Sequence, residues 1–349
     1  MIDKRYYGLC PANVATGGTE LMHQFVDYIN TNTQIQAFIV YYNSDSEFVN
    51  SEIPERFQLY NIKLANNIDD VAENIVIVPE TSLYLAKKFK EVNYLFWWMS
   101  FDNYFNNSTL IDYLKFYTSG QLTIKQLLLR IYYFKFDNVF TFKDIQKIKN
   151  RVIHCYQSQY VHHKLFDLGI YNQLPLSDYI NTTFIKNEIN RISTRENIIL
   201  YNPAKGFEIT KRIIKKLPQF QFVPLKALSA VQVADLFSKA KLYIDFGNHP
   251  GKDRMPREAA LQGCIILIGK RGSARYLEDV NVHRDNKMEV KDIDSIVNRI
   301  KELMNNFEVE SKNMKHYVEL IRNEKEIFEN EIKMINKAID VLFYTNNNV

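Results

Sequence analysis

The feature that most constrains this chain is the alternation of short apolar runs with longer amphipathic stretches along almost its whole length. Apolar runs of about four to eight residues are typical of buried strands, and longer stretches with apolar side chains three and four residues apart are typical of helices. Strands that alternate with helices form parallel sheets covered by helices on both faces. The sequence therefore predicts an α/β fold.

The alternation forms two series, separated by a polar, turn-forming stretch at 176–197. A chain of 349 residues also suits two domains, at about 100 to 200 residues each. We predict an N-terminal domain at 1–185, a C-terminal domain at 186–325, and a terminal helix at 326–349 that packs back on the N-terminal domain. Both domains are expected to be doubly wound and Rossmann-like, and to face each other across a cleft. The predicted strands are 6–9, 37–42, 74–78, 94–99, 139–142, 152–156, 198–201, 219–223, 242–246 and 264–268, and the predicted helices are 19–30, 82–90, 123–134, 209–216, 230–240 and 256–262.

Composition excludes several classes of protein. No apolar run approaches the ~18 residues of a membrane-spanning helix, and the first residues lack the apolar segment of a secretory signal. The three cysteines, Cys10, Cys155 and Cys264, are far apart and odd in number, which fits neither a disulfide framework nor a zinc site. We therefore expect a cytoplasmic protein with Cys10 and Cys155 buried as small apolar residues.

The charge is unevenly distributed. Residues 201–300 contain 18 Lys and Arg against 11 Asp and Glu, a net +7, so the rest of the chain sums to −3 against the overall +4. A pI of 8.6 is below the range typical of nucleic-acid-binding domains, and no nucleic-acid-binding motif is present. The local excess predicts a small phosphorylated ligand and no nucleic acid.

The most informative segment is 245–260, DFGNHPGKDRMPREAA, which follows an apolar strand and leads into a helix. In open α/β sheets, ligands bind beyond the carboxyl ends of the strands. Gly251 permits close backbone approach, Lys252 and Arg254 supply positive charge, and helix N-terminal amides attract anions. The segment predicts a diphosphate site, with Glu258 in the first helical turn as the ligand of a ribose. The alternative is that Glu258 satisfies the helix start and the basic residues are solvated loop charges.

The pattern GxHPGKDRxPREAAxxGC, followed by GxRGSA at 269–274, resembles the donor-binding half of GT-B glycosyltransferases from bacterial surface-polysaccharide clusters (capsule and O-antigen). The resemblance extends to both predicted domains. It includes Gly17, Gly18, Thr19 and Glu20 after the first strand, and Tyr201, Asn202, Pro203, Lys205 and Gly206 after the first strand of the second series.

This resemblance implies a C-terminal domain that holds a nucleoside diphosphate sugar. Lys205, Lys252 and Arg254 would bind the diphosphate, and Glu258 would bind the ribose. The turn at Gly17 and Gly18 would close over the donor sugar, and Asn202, His249, Gly251 and Ser273 complete the implied donor-binding residues.

One position departs from the family. Many retaining members carry a second glutamate eight residues before the ribose ligand, where this chain has Pro250. Asp245, His249 or Asp253 could contact the transferred sugar instead. Retaining and inverting chemistry both stay open.

The catalytic candidates are Glu80 and Asp102, which follow strands of the first series. Either carboxylate could take a proton from an acceptor hydroxyl within ~3 Å, or could simply cap the following segment. We favour Asp102 because the aromatic residues around it could bind an acceptor sugar.

Other signals are weaker. Asp292 and Asp294 begin an amphipathic helix and are read as caps, and adjacent His162 and His163 point in different directions on a helix, so no metal is expected. Thr16 is followed three residues later by Thr19 rather than by Glu, so no capping box is expected there.

The leading hypothesis is a metal-independent glycosyltransferase that needs no cofactor and moves a sugar from a nucleoside diphosphate sugar, its donor substrate, to a hydroxyl of a glycan or lipid-linked glycan. A catalytically silent GT-B subunit and a nucleotide-sugar epimerase are the alternatives. Residues 124–136, IKQLLLRIYYFKF, suggest peripheral contact with the inner face of the membrane, against the alternative of a core helix.

Overall fold

The computed structural model describes residues 4–104, 114, 117–118, 123–125, 127–128, 140–180 and 195–344. The chain forms two compact units. Unit 1 comprises Met1–Gln157, Lys164–Leu176 and Glu329–Val349, and unit 2 comprises Ser158–His163 and Ser177–Phe328. The domain boundary at 185/186 lies outside the described residues and stays a prediction.

The strands of unit 1 are β1 (Arg5–Pro11), β2 (Gln36–Tyr42), β3 (Lys63–Leu64), β4 (Ile75–Pro79), β5 (Asn93–Trp98), β6 (Val152–Tyr156) and β7 (Gln173–Pro175). They form a seven-stranded parallel sheet with the order β3-β2-β1-β4-β5-β6-β7. Its central strands are buried on both faces, as parallel sheets require. The strand order reverses between β1 and β4, which is where α/β sheets bind ligands.

Two described helices of unit 1 begin after a threonine N-cap: α1 (Gly17–Asn32) follows Thr16, and α3 (Phe142–Lys147) follows Thr141. Thr16 caps α1, and its hydroxyl accepts a hydrogen bond from the Thr19 amide while the Thr19 side chain bonds back to the Thr16 amide. This is a capping box, so the expectation that none forms here was wrong: the hydroxyl of threonine reaches the cap amide as glutamate would. The main helical segments among the described residues of unit 1 are α1 (Gly17–Asn32), a 3₁₀ segment at Glu80–Lys88, α2 (Phe101–Tyr104) and α3 (Phe142–Lys147).

The strands of unit 2 are β8 (Glu196–Tyr201), β9 (Gln221–Pro224), β10 (Ala240–Asp245), β11 (Ile265–Gly269) and β12 (Lys287–Met288). They form a five-stranded parallel sheet with the order β12-β11-β10-β8-β9. The strand order reverses between β8 and β10. The strands β10 and β11 are almost entirely buried and form the centre of the apolar core.

The other α-helices among the described residues are α4 (Gln159–Asp167), α5 (Phe207–Lys216), α6 (Ala230–Lys239), α7 (Arg254–Leu261), α8 (Ile293–Asn305), α9 (Phe307–Glu310), α10 (Lys315–Arg322) and α11 (Glu324–Ile339), followed by a π-helical turn at Asp340–Tyr344. In unit 2, α5 packs against α8, and α7 packs against α6 and α10. Asp292 caps α8 by accepting a hydrogen bond from the Ser295 amide, which confirms its predicted role.

The α/β class and most predicted elements are confirmed, with one strand wrong. Phe140 and Thr141 are not in a strand, and Phe142 begins α3, because Thr141 and Asp144 form a capping box that starts a helix. The segment predicted as a helix at 82–90 is a 3₁₀ segment, and the predicted helix at 123–134 lies mostly outside the described residues. Within the described part of the chain, no helix combines the length and the apolar character needed to cross a bilayer.

The three cysteines are free and buried, as expected for Cys10 and Cys155. Burial raises the pKa of all three thiols, that of Cys264 to about 12. Because the thiolate is the reactive form, we expect none of the three to react with Ellman's reagent at pH 8 in the native protein. Unfolding in guanidinium should release all three. Rapid colour development without denaturant would contradict the buried positions.

Candidate functional site

The reversal point of the unit 2 sheet brings two loops into backbone contact. Gly206, which follows β8, has φ +62°, and a Cβ at this position would lie 2.5 Å from the carbonyl carbon of Phe246. Gly247 has the same role from the other side, since its Cβ would lie 2.4 Å from the Cβ of Lys205. Only glycine permits this approach. The segments 202–206 and 245–253, far apart in sequence, therefore form one site.

The loop after β11 holds the loop at 245–253 in place through two hydrogen bonds. The Ser273 amide donates to the His249 carbonyl at 2.8 Å, and the Ser273 hydroxyl donates to the Gly251 carbonyl at 2.6 Å. Gly272 has φ +56°, and a Cβ there would lie 1.9 Å from the His249 carbonyl oxygen. The GxRGSA motif is thus explained by packing: Ser273 and Gly272 hold the loop that carries the predicted diphosphate residues.

Lys205 and His249 both lie against Asp253. The Lys205 Nζ is 2.7 Å from each carboxylate oxygen of Asp253, and the side chains of this pair are 32% and 22% exposed. The imidazole of His249 is completely buried between two carboxylates: Nδ1 lies 2.8 Å from Asp253 Oδ2, and Nε2 lies 3.6 Å from Asp245 Oδ1. Burial opposes protonation of His249, but the two carboxylates outweigh it and raise its pKa to about 9. The two carboxylates therefore favour the protonated form of the ring.

Asp245, His249 and Asp253 are also the described group whose ligand atoms lie close enough for a metal ion, within 4.8 Å of one another. Two features favour a different role for these residues. The carboxylates contact opposite nitrogens of the imidazole, and the Lys205 ammonium already occupies both oxygens of Asp253. The arrangement is that of a charge cluster neutralised by a lysine and a proton, and the expectation of no bound metal stays a prediction.

Lys252 belongs to a buried network of four charges. Its Nζ lies 2.9 Å from Glu324 Oε1, and the two side chains are 14% and 6% exposed. Arg257 is fully buried and contacts Glu324 at 2.8 Å and Asp178 at 2.7 Å. Burial opposes the charge on Arg257, but the two carboxylates outweigh it and raise its pKa. Asp178 and Glu324 carried no sequence signal, because they lie 79 and 67 residues from Arg257 along the chain.

The predicted ribose ligand, Glu258, lies two residues further into its helix than the sequence indicated. Because α7 begins at Arg254 rather than at Pro256, Glu258 follows the first turn and lies 3.7 Å from Arg254 Nε. Both side chains are mostly buried. Asn202 forms a turn by accepting a hydrogen bond from the Ala204 amide, and its side-chain nitrogen contacts the Met255 sulfur.

Two helices start at this edge of the sheet without a side-chain cap. The N-cap residues are Gly206 for α5 and Asp253 for α7, and neither makes a side-chain hydrogen bond to the helix. By contrast, Ser229 caps α6 with a capping box. Amides in the first turns of α5 and α7 are thus not bonded by their caps, and such amides bind anions.

In unit 1, the predicted residues lie at the carboxyl ends of β1, β4 and β5. Gly17 and Gly18 form the first turn of α1, and a Cβ on Gly18 would lie 3.5 Å from the Met99 sulfur. The Met99 amide in turn donates to Glu80 Oε2 at 3.0 Å. The structure therefore places Gly18 and Glu80 on either side of Met99, at the reversal point of this sheet.

Glu80 is buried, and burial raises its pKa to about 8 although the amides of Met99 and Ser100 stabilise the carboxylate. A carboxyl group that keeps its proton at neutral pH cannot accept another one. Asp102, the other candidate base, lies in α2 and is partly exposed, and the choice between the two carboxyl groups stays a prediction.

The described aromatic side chains around Asp102 do not form a surface for an acceptor sugar. The aromatic side chains around it, Trp98, Phe101 and Tyr104, are at most 2% exposed. Trp98 and Tyr104 pack against each other and against Phe142 in the core of unit 1. These rings contribute to stability and present no face to a sugar, because β5 and the helix that follows it, α2, both bury their aromatic side chains in the core.

No family model matches the sequence, and no curated protein matches it. Several solved structures share its fold. A TarM variant of S. aureus, in complex with fondaparinux, alpha-GlcNAc-glycerol and UDP, superposes with a TM-score of 0.53 at 14% identity over 80% of this chain. This chain spans 57% of that TarM chain. A glycosyltransferase of Rickettsia africae gives a TM-score of 0.60 at 10% identity, covering 98% of this chain and 99% of that one.

HepE of Anabaena, in complex with UDP-glucose, gives a TM-score of 0.55 at 10% identity, covering 95% of this chain and 99% of that one. At such identities the likeness establishes the fold alone. Together with the two parallel sheets, it shows that the chain has the GT-B fold, as the motifs predicted.

The four-charge network leads to a stability prediction. Arg257→Met leaves the carboxylates of Asp178 and Glu324 buried with Lys252 as their remaining cation, and should lower the free energy of unfolding by about 3 to 5 kcal/mol. Lys239→Met, which breaks an exposed pair with Asp235, should leave the thermal midpoint unchanged. Differential scanning calorimetry measures both variants, and equal midpoints would contradict the role of the network.

Glu80 leads to a pH prediction. An unfolded glutamate releases its proton near pH 4.5, whereas native Glu80 keeps it to about pH 8, so the wild type loses stability as pH rises between these values. Glu80→Gln removes this loss. We expect the difference in thermal midpoint, variant minus wild type, to increase as the pH is raised from about 5 to about 8. Glu91→Gln, at an exposed position, should show a constant difference. A constant difference for Glu80→Gln as well would argue for an ionised side chain.

Proposed function

We propose that this chain is a glycosyltransferase that moves a sugar from a nucleoside diphosphate sugar to a hydroxyl of a glycan or lipid-linked glycan. Unit 2 would bind the donor, and unit 1 would supply the base and the acceptor contacts. The proposal includes a cytoplasmic location, peripheral contact with the inner face of a bacterial membrane, a place in polysaccharide biosynthesis, and catalysis without a metal.

The observation that carries the proposal is the convergence of anion-binding groups at the reversal point of the unit 2 sheet. Lys205, Arg254 and the first turns of α5 and α7 meet there, and Gly206 and Gly247 bring the backbone close. Helix amides, basic side chains and glycines are what a diphosphate requires. The GT-B fold and the nucleotides bound by TarM and HepE support the same assignment.

Catalysis would rest on stabilising the leaving group. As the bond between the anomeric carbon of the donor sugar and the diphosphate oxygen breaks, negative charge grows on the departing diphosphate. Lys205 is partly exposed and can exchange Asp253 for a phosphate oxygen, and Arg254, whose Nε lies 3.7 Å from Glu258, would supply a second positive charge. Glu258 would accept hydrogen bonds from the ribose hydroxyls. Gly17 and Gly18 would contact the donor sugar.

Proton transfer from the acceptor would fall to Asp102. Its helix follows β5, so the carboxylate lies at the carboxyl edge of the unit 1 sheet, and it is partly exposed. Glu80 holds its proton at neutral pH and would instead fix the turn at Met99. Retaining chemistry would need no such base. The stereochemistry of the product therefore distinguishes transfer that uses Asp102 as a base from transfer that does not.

One observation favours a second candidate, a catalytically silent subunit. Each cation that the sequence assigned to the diphosphate faces a carboxylate of the same unit: Asp253 for Lys205, Glu324 for Lys252 and Glu258 for Arg254. A subunit that binds no donor would keep these pairs permanently. Calorimetric titration with UDP, GDP, ADP, CDP and dTDP separates the two, since the silent subunit should bind none of them at millimolar concentration.

The activity test is release of nucleoside diphosphate from UDP-glucose and related donors, with EDTA present. Lys205→Ala should lower turnover by ~100-fold or more, because it removes a cation that acts on the leaving group. Lys211→Ala, which removes an exposed lysine from α5, is the matched control and should retain the wild-type rate. Near-normal turnover in Lys205→Ala, or a requirement for added metal, would contradict the mechanism.

A further inference from the structure

The basic side chains on the loops of the unit 2 site differ in whether a carboxylate neutralises them. Four of these basic side chains lie within 4 Å of a carboxylate group. These are Lys205 with Asp253 at 2.7 Å, Lys252 with Glu324 at 2.9 Å, Lys270 with Glu289 at 3.4 Å, and Arg254 with Glu258 at 3.7 Å.

Arg271 is different. It is the second residue after β11 and is partly buried, yet no carboxylate of the described residues lies within 4.0 Å of its guanidinium. Its contact is a long hydrogen bond, 3.5 Å, from Nη1 to the carbonyl oxygen of Phe246. A partly buried arginine with so weak a partner retains most of its capacity to bind an anion.

The position of this guanidinium is fixed by the same contacts that build the site. Gly206, the N-cap residue of α5, lies against the carbonyl group of Phe246. The next residue after Arg271 is Gly272, which packs against His249. Arg271 therefore lies where the loops after β8, β10 and β11 meet, beside helix amides that the cap residue does not bond.

We propose that Arg271 binds the diphosphate of the donor, and that Lys252 does not. This inference rests on the proposed function. Lys252 is neutralised inside a buried network and holds the loop at 245–253 in place, whereas Arg271 carries an uncompensated charge. The planar guanidinium can donate two parallel hydrogen bonds to the oxygens of one phosphate group. Binding exchanges one 3.5 Å contact for charge-assisted hydrogen bonds.

The test is isothermal titration calorimetry of UDP and UMP against the full chain and the variant Arg271→Gln. We expect Arg271→Gln to weaken UDP binding by at least ~10-fold, the loss typical of a charged hydrogen bond. The preference for UDP over UMP should shrink in the same variant. Arg275→Gln is the matched control, because Arg275 is exposed in the same turn and its Nε donates to the Lys270 carbonyl. It should bind UDP as the wild type does.

Thermal midpoints without nucleotide separate binding from folding. Arg271→Gln should melt with the wild type, whereas Lys252→Gln should melt earlier and still bind UDP when folded. If Arg271→Gln is unstable, Arg271→Lys replaces it, and an intermediate UDP affinity supports the role of the guanidinium.

Two results would overturn the inference in distinguishable ways. UDP affinity within about twofold of the wild type in the Arg271 variants would refute this role of Arg271 and leave the proposed function standing. Failure of the wild type to bind UDP, GDP, ADP, CDP or dTDP would overturn the proposed function, and the inference with it.

Discussion

The buried guanidinium of Arg257 is the interaction on which the geometry of unit 2 depends. A charge removed from water is stable only when other charges replace the lost solvation. Asp178 and Glu324 do so at 2.7 and 2.8 Å, and Lys252 balances the second carboxylate. Because Lys252 and Arg257 flank the start of α7, the network fixes where this helix begins. The loop before it, with His249 and Asp253, is positioned as a consequence.

The contacts of glycine complete this arrangement. Gly206 and Gly272 adopt left-handed conformations and bring the loops after β8 and β11 onto the loop after β10. Side chains at these positions would separate the loops, and the basic residues would then no longer share one site. The charge network fixes where α7 begins, and the glycines fix how closely the backbones of the three loops approach one another. Together they produce a cluster whose cations differ in availability: some are held by neighbouring carboxylates, and Arg271 is not.

Errors in the sequence-based predictions have identifiable causes. The strand predicted at 139–142 failed because four apolar or β-branched residues satisfy a strand pattern, while Thr141 and Asp144 start a helix. The capping box at Thr16 was missed because the rule was applied to glutamate and not to a hydroxyl at Thr19. The aromatic residues near Asp102 were read as a sugar platform, but an apolar segment in a parallel sheet is covered on both faces.

The sequence by itself determined the two parallel sheets, the position of most helices and the loops that carry the site, because periodicity, caps and glycines act over a few residues. It also indicated the GT-B fold through the motifs at 201–206 and 247–274. Only the tertiary structure decided which charges are paired. Arg257 meets partners 79 and 67 residues away, Glu80 keeps its proton because the fold buries it, and Arg271 lacks a carboxylate because none of the described acidic residues is packed beside it. Burial and long-range contact set these properties, and neither has a local signature in the sequence.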